Sequence, residues 1–240
     1  MSPAGPLGNP ALLGAEFFAL GALLGADQVA GPQWMLSQPL VAGALAGALT
    51  GEPRIGLLVG LVAQLAWNGA VPVGSRPNPD VSGGTLAGVL AASAVAPGEG
   101  WLRAAVAGAA VALVVGWLGA WPAAWNRRWN SRWTGWALAA PSDRECARRV
   151  DSAQRLGWLC TAGLSGTWVL AAGAAGTWGA GALLAWIPAR GGAGGALPAL
   201  AWGLGLAAAA LAFGGGARRD WIWAAGGAAL AAGLKLAGAL

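Results

Sequence analysis

The apolar positions of this chain fall into long runs separated by short polar breaks. The first covers residues 11–26, where Phe17, Phe18 and Leu20 supply the hydrophobicity and Glu16 lies inside the run. At 1.5 Å per helical residue it is about 24 Å long, short of the ~30 Å hydrocarbon core of a bilayer. Asp27 and Gln28 end it, and Gly31-Pro32 forms a break. Residues 40–49 are too few to cross alone, which predicts a re-entrant or broken helix. Residues 101–123 form the plainest span, with Trp117 and Trp121 at one end in the manner of an interfacial aromatic belt. Arg103 sits near the other end, where it can snorkel to the headgroups. Residues 157–186 are long for one span and short for two, which predicts a span joined to a broken or tilted piece. A loop over 188–195 leads to further spans at 197–213 and 222–240, the last with Lys235 near its end.

Residues 52–88 depart from this pattern. An apolar segment over 55–67 is interrupted by Asn68, Gly69, Pro72 and Gly74, then by Arg76-Pro-Asn-Pro-Asp80, and a small-residue segment opens at Ser82. A helix that stops, exposes polar groups and restarts is how many transporters build a substrate site. Gln64 and Asn68 are four residues apart, so they share a helix face and offer amides and carbonyls to one ligand. An interhelical hydrogen bond explains the same pair. Arg76 can neutralise Asp80, although Asn-Pro-Asp is also an ordinary turn former.

Two further patterns are helical. Gly21/Gly25, Gly43/Gly47, Gly56/Gly60 and Gly84/Gly88 are each G-x-x-x-G, which lets helix backbones approach closely in lipid. Trp125, Trp129, Trp133 and Trp136 follow at steps of four, four and three, with Arg127, Arg128 and Arg132 off that stripe. That division describes an amphipathic helix lying in the membrane interface. After Pro141, Ser142-Asp-Arg-Glu145 has the form of a capping box, predicting a short polar helix to about Arg155.

Composition agrees with the membrane reading. The 240 residues are 57% hydrophobic and 10% charged, with a mean hydropathy of +0.59, whereas soluble domains carry about 25% charge. Sixteen Trp argue against disorder, the other reading of a Gly/Ala/Pro-rich chain. Seven of the 14 basic residues lie between Arg127 and Arg155, against three acids, which marks a cytoplasmic loop rather than a nucleic-acid surface. Cys146 and Cys160 have no metal spacing and read as unpaired packing residues. His is absent, and no zincin, Walker or nucleophile-elbow motif occurs, so no enzyme constellation, metal or cofactor is expected. The N-terminus lacks the positive region of a secretory signal. The expected fold is all-α and polytopic, a bundle of about 6–8 transmembrane and re-entrant or broken helices with one interfacial amphipathic helix. One membrane domain over 1–240 is expected: a motif-bearing half at 11–97, a span at 101–123, an interfacial and basic segment at 124–156, and C-terminal helices at 157–240.

Residues 38–51 (QPLVAGALAGALTG) and 56–80 (GLLVGLVAQLAWNGAVPVGSRPNPD) resemble the IIC component of mannose/fructose/sorbose-type phosphotransferase systems. That family has an Asp after the first span, R-P-L, G-x-x-x-G, a Glu or Gln, a V-G or I-G step and P-D. The matching positions here are Asp27, Gln38-Pro39-Leu40, Gly43/Gly47, Gln64, Gly74 and Pro79-Asp80, within residues 20–95. Gln38 replaces the Arg of R-P-L, and Ser37 stands where a His is frequent, so specificity can differ. The resemblance implies a sugar permease of the bacterial inner membrane that is not itself an enzyme. It implies a hetero-oligomer with a IID membrane subunit, and cytoplasmic IIA and IIB proteins that carry the phosphohistidines and phosphorylate the sugar. A hexose-type sugar is expected among Asp27, Gln33, Gln64, Asn68, Gly74, Arg76 and Asp80, with the Gly74-Ser75 backbone allowing close approach. The basic 127–155 segment suits a cytoplasmic partner or membrane lipids equally. Two other readings stay open: a structural or regulatory subunit of the same fold that does not transport, and an ion-coupled transporter using Glu16 or Asp80 as a proton relay.

Overall fold

The computed structural model describes residues 9–31, 33–67 and 79–185. Within them the chain forms helices α1 (Pro10–Val29), α2 (Pro39–Thr50), α3 (Pro53–Trp67), α4 (Val81–Glu99), α5 (Trp101–Leu118), α6 (Ala120–Leu138) and α7 (Asp143–Leu184). Pro10, Pro39 and Pro53 each open a helix, where the missing N–H would have no partner anyway and the fixed φ suits the first turn. Asn9 caps α1, its side chain accepting the Ala11 N–H at 3.0 Å. The described residues are all-helical and membrane-like, with α1, α4, α5 continued by α6, and α7 long and apolar enough to span a bilayer. The shorter α2 and α3 have 12 and 15 residues.

Small residues decide which helices meet. α2 and α3 form a hairpin turned at Gly51, whose φ of 73° is the left-handed conformation that favours glycine. Along this hairpin backbone touches backbone. A Cβ on Gly43 would lie 2.8 Å from Gly60 Cα, and one on Gly47 3.0 Å from Gly56 Cα. The expected short helix at 40–49 is thus one arm of a glycine-sealed pair. α4 closes on α5 in the same way, a Cβ on Gly84 falling 2.6 Å from Gly116 Cα. In α1, Gly21 and Gly25 take the side chains of Val169 and Ser165 from α7. Between these contacts lies a core that includes Phe17, Leu24, Ile55, Val59, Leu86, Val89 and Val169, all fully buried. Leu12, Leu23, Leu57, Leu61 and Trp178 face outward, as a lipid-facing surface requires.

Several boundaries differ from those the sequence predicts. α1 continues past residue 26 to Val29, so Asp27 lies on its last turn rather than after it. The span begun at Trp101 ends at Leu118, and Gly119, itself in right-handed helical conformation, leads directly into α6. The short polar helix after Ser142 and the apolar run after Gly157 are one unbroken 42-residue helix, not a helix followed by a span with a break. Each helical glycine costs about 1 kcal/mol relative to alanine. Breaking the helix in lipid would strand backbone groups at several kcal/mol each, so continuity wins. The predicted cap is present, with Ser142 Oγ accepting the Glu145 N–H at 3.4 Å, while the Glu145 carboxylate turns to Arg148 and Arg149. The loop at 188–195 and the spans at 197–213 and 222–240 lie outside the described residues.

Candidate functional site

The turn between α1 and α2 is built on Asp27. This buried residue uses Oδ1 to accept the Trp34 N–H at 2.6 Å and Oδ2 to accept the Ser37 N–H at 3.0 Å. The turn it holds includes two non-glycine residues with left-handed backbone, Gln33 at φ 55° and Met35 at φ 66°. Such conformations cost on the order of 1–3 kcal/mol each and persist where surrounding bonds over-determine them. The Asp27 carboxylate supplies two such bonds.

Next along the chain, Gln38 is the N-cap of α2, but its side chain makes no capping bond. Gln64, from α3, takes over that task. Its Oε1 accepts the Leu40 N–H at 3.4 Å, and its Nε2 donates to Gln38 Oε1 at 3.0 Å. The amide pair therefore ties the open end of the hairpin, while the glycines seal its length. Here the position where the resembling family has Arg is joined to the Glu/Gln position by a neutral bond.

Asp80 is the N-cap of α4. Its Oδ1 accepts the Gly83 N–H at 2.9 Å, and the Ser82 hydroxyl lies within reach of both Asp80 Oδ1 (3.3 Å) and Gln28 Oε1 (3.5 Å). The Asp80 N–H donates to the Gly116 carbonyl at 2.9 Å, fixing the start of α4 on the end of α5.

These three constructions open on one cavity of about 1490 Å³. Asp27, Gln33, Gln64 and Asp80 all line it, joined by Gln28, Ser37 and Gln38. Its opposite wall comes from α6 and α7, including Asn126, Asn130, Trp133, Thr161 and Trp168. Of the residues proposed from sequence, the structure thus brings Asp27, Gln33, Gln64 and Asp80 together. Asn68, Gly74 and Arg76 lie outside the described residues. Among the described residues no cluster of three or more His, Cys, Asp or Glu is placed to hold a metal. What the lining offers is amides, hydroxyls and indole N–H groups at the junction of apolar helices, with the carboxylates of Asp27, Asp80 and Asp151 set against the guanidinium groups of Arg127 and Arg155. That chemistry is suited to a neutral, polyhydroxylated ligand.

The α6–α7 wall was not singled out from sequence. Its signal was present as Asn126 and Asn130, four residues apart and therefore on one face. The neighbouring Trp stripe runs at the same spacing and masks it.

Residues 13–212 match the family model described as the PTS system sorbose-specific IIC component. The chain belongs to that family. The match extends well beyond the 20–95 region that carries the motifs, through α4 to α7. No curated protein and no solved structure matches the chain. Membership makes this IIC protein a sugar-specific membrane component of the phosphotransferase system. In this IIC chain the polar cavity lies where the glycine-sealed hairpin, the end of α1 and the start of α4 converge.

Proposed function

We propose that this IIC chain binds a hexose in the cavity between the Asp27 turn, the Gln38–Gln64 pair and the Asp80 cap. It then carries the sugar across the inner membrane to a cytoplasmic IIB partner for phosphorylation. The observation that carries the reading is the convergence of Asp27, Gln33, Gln64 and Asp80 on one cavity among apolar helices. Gln64 and Asp80 hydrogen-bond sugar hydroxyls through the lone pairs and N–H groups their structural bonds leave free. Asn68, Gly74 and Arg76, in the connection between α3 and α4, complete the site. The chain forms one membrane domain that works with a IID subunit and with IIA and IIB. It carries no phosphoryl group on His, having none. The basic stretch from Arg127 to Arg155 faces the cytoplasm, consistent with the positive-inside rule.

A second reading has its own support. The Asp27 and Asp80 carboxylates are engaged by backbone N–H groups of the protein itself, which a subunit of the same fold that does not transport would equally need. Phosphoenolpyruvate-dependent sugar phosphorylation in vesicles carrying the IIA, IIB and IID partners separates the two. Phosphorylation that requires this chain supports transport; equal phosphorylation without it supports the scaffold.

A further inference from the structure

Buried side-chain atoms that lack a hydrogen-bond partner are concentrated on this cavity. Five such atoms occur among the described residues: Trp67 Nε1, Ser93 Oγ, Asn126 Oδ1, Asn130 Oδ1 and Trp168 Nε1. All except the Ser93 hydroxyl belong to residues that line the cavity. An unpaired buried polar group costs about 1–3 kcal/mol, and native proteins keep few of them. Four on one wall system point to a partner that the protein does not itself supply.

The identity of the free atom on Asn126 is fixed by its network. The Thr161 hydroxyl donates its proton to the Gly157 carbonyl at 2.8 Å, so its oxygen faces Asn126 as an acceptor. Only the amide nitrogen of Asn126 can meet it, and Asn126 Nδ2 donates to Thr161 Oγ1 at 2.7 Å. The carbonyl oxygen is left over, on a residue only 8% exposed. Asn130 sits one turn further on, about 6 Å along the axis for four residues. Its Oδ1 comes so close to α7 that a Cβ on Gly157 would lie 3.2 Å from it. Trp67 of α3 and Trp168 of α7 bring their indole N–H groups to the α5–α6 junction. A Cβ on Gly116 would lie 3.6 Å from Trp67 Nε1, and one on Gly119 3.2 Å from Trp168 Nε1. Glycine at both positions lets the two donors and the start of α4 at Asp80 pack against the α5–α6 junction.

We infer that the α6–α7 seam is a second sugar-recognising wall, in which Asn126 and Asn130 accept hydrogen bonds from ligand hydroxyls while Trp168, joined by Trp67 from the end of α3, donates to ligand oxygens. The inference rests on the sugar-binding reading above and extends it, through Asn126, Asn130 and Trp168, beyond the motif-bearing half. Two carbonyl acceptors a helical turn apart and two indole donors on the same cavity select a ligand that carries both hydroxyl protons and lone pairs. A hexose does; an inorganic ion or an apolar molecule does not. The four atoms are covered by protein in this structure, so engaging them requires their side chains to turn, and the seam loosens as the sugar enters. Asn126 and Asn130 are then specificity residues, setting which hydroxyl configuration is accepted.

The test uses the full chain in lipid nanodiscs, titrated calorimetrically with D-mannose, D-fructose and L-sorbose, then with the single-deoxy forms of whichever binds best. Asn126→Ala and Asn130→Ala should each weaken binding of the parent sugar roughly three- to tenfold, the worth of one hydrogen bond. Each should also abolish the preference for the parent over one particular deoxy form, as a double-mutant cycle requires of a direct contact. Thr161→Val, which keeps the side-chain shape but removes the hydroxyl that orients Asn126, should weaken binding in the same way and serves if Asn126→Ala does not fold. Folded variants that bind as tightly as wild type and keep every deoxy preference, while Gln64→Ala weakens binding, would overturn the second wall and leave the first standing. No saturable binding of any of the three sugars by the wild-type chain would overturn both.

Discussion

The α2–α3 hairpin and the α6–α7 pair join helices by opposite means. In the hairpin, Gly43, Gly47, Gly56 and Gly60 bring backbone against backbone, and Gln64 ties the open end through Gln38 and the Leu40 N–H. Between α6 and α7 side chains make the joint. Asn126 bonds Thr161, Asn130 lies against Gly157, and Trp133 packs beside it. The outer surface of α6 is aromatic and cationic, with Arg132 over the Trp129 ring at 4.9 Å and Arg149 of α7 over Trp136 at 5.2 Å. The first joint leaves no room for a residue larger than glycine. The second is made by side chains that can rotate, and it carries the unpaired carbonyl oxygens of Asn126 and Asn130. In lipid, where apolar association gains little from water, close backbone contact makes a rigid element. A side-chain joint makes one that can yield to a ligand. The cavity between the two therefore has a fixed wall and an adaptable one.

The comparison predicts a graded series of effects. The largest should come from Gly56→Leu, which drives a side chain into the α2 backbone and should cost about 3 kcal/mol or more, read as loss of folded protein or a sharp fall in melting temperature in detergent. An unshifted melting curve would show that the hairpin is not sealed as described. Asp80→Ala removes the α4 cap and should cost about 1 kcal/mol. Asp80→Asn keeps an acceptor for the Gly83 N–H and should recover most of that stability while still binding sugar more weakly than wild type, which separates capping from ligand contact. Gln64→Ala unties the hairpin's open end, at about 1 kcal/mol of stability, with loss of sugar affinity as the larger readout. Least affected should be Gly163→Ala in α7, where an added Cβ meets nothing within 4 Å. Relief of glycine's backbone entropy should raise stability by up to about 1 kcal/mol. Equal destabilisation by Gly56→Leu and Gly163→Ala would erase the distinction between a glycine sealed in the hairpin and one facing open space.

Much of the rigid half is legible in the sequence, because its determinants are local. The run at 40–49 is too short to cross, and its G-x-x-x-G is repeated at Gly56/Gly60, so a short pair of helices follows from length and spacing. Asp27, Gln64 and Asp80 stand out as polar groups beside apolar runs, and the structure brings them to one cavity. Their individual bonds are not legible. That Asp27 holds the Trp34–Ser37 turn depends on left-handed backbone at Gln33 and Met35, which neither residue type signals. That Gln64 caps α2 depends on a contact with Leu40, 24 residues away in sequence. Glycine spacing likewise shows that helices will approach closely but not which ones. Gly21 and Gly25 take α7, some 140 residues on in the chain, and no pattern near either end announces it. The α6–α7 seam was hidden for another reason. Asn126 and Asn130 share the four-residue step of the Trp stripe, and tryptophan dominates any reading by hydrophobicity. The continuity of α7 escaped because glycine reads as a helix breaker in water, whereas a membrane penalises the break more than the glycine.

The central claim is that the sugar sits between the fixed and adaptable walls, and photoaffinity labelling tests it most directly. The full chain in native-like membrane is irradiated with a photoreactive hexose, with and without excess free hexose, and the adducts are mapped by peptide mass spectrometry. The account predicts adducts that free sugar competes away, in the peptides carrying Gln33–Gln38, Gln64–Trp67 and Asn126–Asn130. Competed adducts confined to the outward faces around Leu57, Leu61 or Trp178, or labelling that free sugar does not reduce, would contradict it.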